Sequence, residues 1–206
     1  MFLGKNYIAC LSPHPDDCEY AIAGTIRKFL DTEFHIYNIS DGGRFDHLGG
    51  DIRKLEVESF WSSYENVKLF FVGEQYIGDI QNDLFIMKME DILEYPYELI
   101  LTPPYQDTHQ DHRKINEIAN SLTRSKKIGL VEYMTPSTTV EWSSNLYVDV
   151  SDYIEEKKNN LFKSFKSQMG KSYFTESVFS SYHTSYQTKK RGLDSVEFFN
   201  IKTVYS

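Results

Sequence analysis

The stretch Tyr7-Ile8-Ala9-Cys10-Leu11-Ser12-Pro13-His14-Pro15-Asp16-Asp17 runs from a short apolar segment through a proline-bounded turn into two aspartates. An apolar run of that length before a turn signal reads as a buried strand. Pro15 and the aspartates suit the first turn of a helix, because the missing proline N–H is an orphan there and carboxylates meet the positive end of the helix dipole. The helix is predicted over Asp17 to Leu30, with Ile22, Ile26, Phe29 and Leu30 on its inner face. Strand, tight polar turn and helix form the first half of a βαβ unit.

The rest of the chain repeats this unit. Strands are predicted at Phe34–Ile39, Val67–Val72, Glu98–Thr102 and Ile128–Met134, and helices at Asp51–Tyr64, Asp83–Glu94 and Asp111–Arg124. The helix ending at Glu94 stops before Pro96, which cannot continue it. Loops are expected at Ser40–Gly50 and around Gly73–Asn82. A further strand, Leu146–Val150, precedes a helix capped by Ser151 or Asp152, and the chain closes with a polar helical stretch, Ser172–Lys190, and a strand at Val196–Val204. The predicted fold is a single α/β domain over residues 1–206, Rossmann-like, with a mostly parallel sheet flanked by helices. In such a sheet strands one and four are neighbours where the winding reverses, so the loops after them face each other at the carboxyl edge, where open α/β sheets bind ligands.

Composition narrows the partners. With 22 basic against 30 acidic residues and a formal charge of −8, the chain offers no broad positive surface to nucleic acid. Hydrophobic content of 40% and charged content of 25% are those of a globular protein. The two cysteines, Cys10 and Cys18, are too few for a disulfide framework, no basic leader precedes a long apolar run, and no apolar segment approaches membrane-spanning length. A soluble, cytoplasmic protein without an integral membrane segment is expected, and a homo-oligomer is left open.

His14 and Asp17 are three positions apart at the strand-to-helix turn, a spacing that puts both side chains on one face, and His109 and His112 repeat it. A catalytic zinc takes about three protein ligands, often two His and a carboxylate, and keeps one position open. His14, Asp17 and His112 would supply that set. Asp16 would then sit beside the ion, where a carboxylate can take a proton from water, and Asp111 is placed to orient a neighbouring imidazole. Either cluster alone could be an ordinary helix start. Two clusters rich in His and Asp, each past a predicted strand, are hard to explain as independent accidents.

Ser12-Pro13-His14-Pro15-Asp16-Asp17-Cys18-Glu19, followed by Gly24-Thr25-Ile26, resembles the signature of PIG-L/LmbE-type de-N-acetylases, and His109-Gln110-Asp111-His112-Arg113 is similar to their second signature. Weaker likenesses are Arg53 and Glu56, Asp149-Val150 before a helix with Lys157, Ser167-Gln168, and Glu197-Phe198-Phe199. The resemblance implies an N-acetylglucosamine-type sugar conjugate as substrate, Zn2+ on His14, Asp17 and His112, and Asp16 as general base. It also implies a protonated His109, held by Asp111, that stabilises the oxyanion. Fe2+ can occupy such a His/carboxylate site as well. Some family members carry the glutamate directly after the second aspartate, whereas here Cys18 intervenes. Cys18 reads as a buried apolar filler rather than an extra metal ligand.

Asp41-Gly42-Gly43-Arg44 follows the second strand, so Arg44 could meet an anionic group of the substrate, or the segment could be a solvated turn. Arg53 could bind a sugar hydroxyl or form a helix-surface ion pair with Glu56 or Glu58. His35, His47 and His183 have no partner at ligand spacing and read as surface or satisfied core residues, with His183 in a stretch that could fold over the site. Trp61 and Phe60 read as core, whereas Trp142 could be core, sugar-stacking surface or subunit contact. Two other functions remain in play. A metal-dependent phosphoesterase would need more carboxylates than these motifs hold, and a non-catalytic sugar-binding protein would have no use for Asp16.

Overall fold

Tyr7–Ser12 is strand β1, at the centre of the sheet in the computed structural model, which describes residues 1–42, 50–74, 76–93, 95–124 and 126–205. The described residues form β1, α1 (Asp17–Lys28), β2 (Glu33–Ser40), α2 (Gly50–Trp61), β3 (Val67–Glu74), α3 (Asn82–Ile92), β4 (Leu99–Thr102), α4 (Gln110–Thr123) and β5 (Gly129–Tyr133). They continue with β6 (Leu146–Asp149), α5 (Ile154–Ser164), α6 (Glu176–Tyr182), α7 (Tyr186–Lys190) and β7 (Val196–Thr203). Among these residues the sheet has seven strands in the order β3-β2-β1-β4-β5-β7-β6.

Strands β1 to β5 pair in parallel, and β7 enters antiparallel between β5 and β6. This is the expected Rossmann-like α/β architecture. Within β1, Ile8 and Cys10 face one core cluster while Ala9 and Leu11 face the other, so the strand is apolar throughout because both faces are covered. The first cluster takes in side chains of α1, α2 and α5, and the second takes in α3 and α4. No helix among the described residues is long and apolar enough to cross a membrane.

Some predicted elements shift. Helix α1 ends at Lys28, and Leu30 is 60% exposed rather than on the inner face, because the chain has already left helical geometry at Phe29. The predicted helix over Ser172–Lys190 is two short helices, each starting at a side-chain cap: Thr175 accepts from Val178 N, and Ser185 forms a capping box with Thr188. Between them His183 is buried, its Nδ1 2.8 Å from the Phe179 carbonyl and its Nε2 2.9 Å from Lys157 Nζ, so it faces the core rather than covering a site. His35 is a satisfied core histidine between the Tyr97 hydroxyl and Glu33, and Phe60 and Trp61 are core as expected.

Helix α1 is locked down by a buried carboxylate. Glu197 on β7 accepts the N–H of Gly24 at 2.8 Å and of Thr25 at 2.7 Å, and Lys157 Nζ lies 2.5 Å from the same carboxylate. A Cβ on Gly24 would stand 2.9 Å from Glu197 Oε1 and from Val150 side-chain atoms, so only glycine lets the helix approach this closely. Alanine normally gains about 1 kcal/mol over glycine in a helix. Here overpacking outweighs that gain, and Gly24→Ala is expected to destabilise the fold by roughly 1–3 kcal/mol in urea unfolding; a stabilised variant would contradict the packing. Lys157→Met strands the Glu197 charge in the core and is expected to cost about 3–5 kcal/mol in the same measurement. A near-neutral result would mean that the pair is dispensable.

Candidate functional site

The turn after β1 is knit locally. Ser12 Oγ donates to the His14 carbonyl at 2.8 Å and accepts from Cys18 N at 3.4 Å, while the His14 N–H donates to Asp17 Oδ2 at 2.8 Å. Asp16 is forced to φ 138°, ψ −21°, a conformation that costs a non-glycine residue about 1–3 kcal/mol. Surrounding bonds hold it there: Arg53 donates to the Pro15 carbonyl, and Tyr20 N donates to the Asp16 carbonyl at 2.8 Å. Neighbouring aspartates thereby point into different surroundings.

The second motif opens α4, with His109 as its N-cap. His109 Nδ1 accepts the Asp111 N–H at 3.3 Å, which puts the imidazole proton on Nε2. The Asp111 carboxylate meets His14 Nε2 at 3.0 Å rather than His109, since residues two apart on a helix do not face each other. This corrects the expectation that Asp111 holds His109. It does orient a neighbouring imidazole, that of His14.

The switch point brings both motifs together. Asp17 lies between the two histidines, with Oδ2 3.3 Å from His14 Nδ1 and Oδ1 3.2 Å from His112 Nε2. His14, His109 and His112 also offer ring nitrogens that all lie within 4.8 Å of one another, a grouping that could hold a metal ion. Ligands bound at ~2.1 Å to a tetrahedral zinc stand ~3.4 Å apart, and Asp17 meets each imidazole at about that separation, through a different oxygen for each. His112 Nδ1 is 3.0 Å from Asp107 Oδ2, the carboxylate behind an imidazole that metal-binding histidines usually have. Asp107 is itself buried, taking the His109 N–H at 2.7 Å and the Thr135 hydroxyl.

The charges respond to this crowding. Burial works against protonation of His14, but its bonds to Asp111 and Asp17 prevail and lift its pKa to about 9. His112 rises to about 10, with Asp17 and Asp107 overcoming burial in the same way. Asp17 is also buried, yet His112 and His14 hold its carboxyl well below the usual range. The carboxylates that favour positive charge on these imidazoles would also favour a bound cation. Asp16 behaves oppositely: burial pushes it up to about 6, with Arg53 in opposition. His109 is lowered by burial and by its histidine neighbours, a shift toward the neutral form.

His14, Asp16, Asp17, His109, Asp111 and His112 line a cavity of about 450 Å3, with Tyr20, Tyr76, Ile77, Asp79, Pro136, Ser137, Gln168 and Tyr173 among its other walls. Arg53 lines it too, but it is buried, 3.3 Å from Asp16 Oδ2 and 3.7 Å from Glu56 Oε2, which makes it neither a surface ion pair nor an arginine committed only to ligand. Arg44 and His47 lie outside the described residues. Cys18 is buried against Tyr133, where burial raises its thiol pKa, as befits a core filler. Trp142 donates to Glu132 at 3.0 Å and is not among the residues that line the cavity. Sequence reasoning missed Asp107, although a carboxylate two positions before His109 was a usable signal. It also missed Tyr173, whose contact with Asp16 has no local signature.

The PIG-L family profile, described as GlcNAc-PI de-N-acetylase, matches residues 9–123 and so contains both motifs. A diacetylchitobiose deacetylase from Thermococcus kodakarensis is 22% identical over 178 residues, 73% of this chain and 66% of that protein, so the chain spans just under two thirds of its length. The N,N'-diacetylchitobiose deacetylase structure from Pyrococcus horikoshii superposes with a TM-score of 0.74 at 20% identity, covering 97% of this chain and 85% of the other. The 4-carboxy-2-hydroxymuconate hydratase GalB from Pseudomonas putida KT2440 does so at 0.73 and 14% identity, covering 98% of both chains. These likenesses show a shared fold, and the hydratase shows that the fold is not tied to one reaction.

Asp107→Asn retains size but loses the charge behind His112. Zinc titration of this variant is expected to show affinity about 10- to 100-fold weaker than wild type. Equal affinities would remove Asp107 from the site.

Proposed function

The chain belongs to the PIG-L (GlcNAc-PI de-N-acetylase) family, and from that premise we propose that it is a metal-dependent hydrolase that removes the acetyl group from the nitrogen of an N-acetylated amino sugar. Asp17 set between His14 and His112, with Asp16 alongside but turned into a separate environment, is the observation that carries this reading. His14, Asp17 and His112 are the proposed ligands of zinc, or of Fe2+, which accepts the same donors. A divalent metal there supplies Lewis acidity, polarising the acetamide carbonyl and making water an effective nucleophile near neutral pH.

The chain's own residues do the rest. Asp16 takes the proton of the attacking water as the C–O bond forms, and returns it to the nitrogen as the C–N bond breaks, so acetate and a free amine leave. His109 contributes its Nε2–H to the oxygen that gains negative charge, as a neutral donor. Asp111 and Asp107 hold the His14 and His112 rings in orientation. The cavity of about 450 Å3, with tyrosines and polar side chains in its wall, is of a size that takes a sugar with part of its aglycone.

The hydratase of the same fold is the specific observation behind a second reading, addition of water to a carbon–carbon double bond. Family membership over both motifs favours the amide. A phosphoesterase with two metals finds less support, since His14, His109 and His112 form a single metal-capable group among the described residues and share two members with the proposed ligand set.

Purified protein is expected to carry about one tightly held divalent metal per chain and to release acetate from N-acetyl sugars faster than it releases phosphate or hydrates an unsaturated acid. His112→Ala is expected to lose both metal and turnover. Asp16→Asn is expected to keep the metal while kcat falls roughly 10²- to 10⁴-fold. Full metal and unchanged turnover in His112→Ala would overturn the assignment.

A further inference from the structure

Two donors reach the same oxygen of Asp16. Tyr173 Oη donates to Oδ2 at 3.2 Å, and Arg53 Nη2 lies 3.3 Å from that atom, whereas Oδ1 has no hydrogen-bond partner among the described residues. A carboxylate held by one donor keeps rotational freedom, because the terminal torsion of aspartate is broad. Donors arriving from two different segments remove it.

Those segments are themselves tied together. Arg53 sits on α2, where Glu56 lies 3.7 Å from its Nε. The same Glu56 accepts the Ser167 N–H at 2.7 Å and the Ser167 hydroxyl at 2.6 Å, fixing the chain that leads on to Tyr173. The Tyr173 ring meets Tyr20 edge-on with centroids 6.0 Å apart, its carbonyl accepts the Tyr20 hydroxyl at 3.0 Å, and the next residue, Phe174, is buried in the core. The hydroxyl is therefore delivered to Asp16 by a rigid support.

We propose that Tyr173 is a positioning residue for Asp16, pinning Oδ2 so that Oδ1 is the oxygen presented to the attacking water. The proposal rests on the reading of the chain as an N-deacetylase with Asp16 as its base. Tyr173 adds nothing to metal binding and forms no covalent bond. Its contribution is the orientation of the group that moves the proton, where small misplacements cost rate steeply.

Tyr173→Phe tests this, since it keeps the ring packing and removes only the hydroxyl. The expected result is a kcat for acetate release lower by roughly tenfold to hundredfold, with KM within about twofold and metal content and Tm unchanged. In an Asp16→Ala background the same substitution is expected to leave the residual turnover unaltered, because the two residues act as one unit. An unchanged kcat, a change confined to KM, or an equal fall in both backgrounds overturns the proposal; the second outcome would make Tyr173 a substrate-binding residue. Crystal structures of the wild type and Tyr173→Phe give an arm independent of turnover: the Asp16 carboxylate is expected to rotate or split in the variant, and an unmoved carboxylate overturns the proposal. A wild type inert on every N-acetyl sugar overturns the functional reading instead, and the crystallographic arm still decides whether Tyr173 holds Asp16.

Discussion

The parallel pairing of β1 with β4 decides where the chemistry-bearing residues meet. Ile8 pairs with Leu99 and Cys10 with Leu101, so the two strands end side by side, and α1 and α4 both start from that edge. Apolar clusters on both faces of the sheet hold this register, since a slip by one residue would exchange the faces of every side chain in the strand. His14 and His112, distant in sequence, consequently come to rest with ring centroids 5.5 Å apart. The polar turns sit outside the core and are free to carry function.

At that edge two adjacent aspartates are driven in opposite directions. Asp17 is held ionised by two imidazoles, while burial raises Asp16 to about 6. Neighbouring titratable groups pushed apart in this way suit divided labour, which the proposed reaction uses by giving one carboxylate a cation and the other a proton. The backbone of Asp16, at φ 138°, makes the division, since it turns one side chain toward Arg53 and Tyr173 and leaves the other between His14 and His112. Strain at this residue is offset by the bonds around it, those of Arg53 and of the Tyr20 N–H among them.

The parallel strands, the neighbouring of β1 and β4, and the gathering of His14, Asp17, His109 and His112 were legible in the sequence. Their signals are local: apolar runs, turn residues and helix-start spacing. The insertion of β7 between β5 and β6 was not legible, because antiparallel return strands have no spacing rule that names their neighbour. Asp111 illustrates a finer limit. Its type showed that it would orient an imidazole, but helix geometry made that imidazole His14 and gave His109 only the backbone N–H. Tyr173 was invisible because its partner lies across the fold, and the burial of Arg53 was not legible because it depends on α2 packing over the first turn.

The central claim is that a metal is held by two imidazoles and one carboxylate, those of His14, His112 and Asp17, leaving His109 free as a hydrogen-bond donor. Anomalous diffraction at the zinc edge from crystals of the protein grown with zinc tests it most directly. The account predicts a single strong peak within about 2.2 Å of one nitrogen of His14, one nitrogen of His112 and an oxygen of Asp17. A peak bonded to His14, His109 and His112 with Asp17 apart from it, or no peak at this edge of the sheet, would contradict the account.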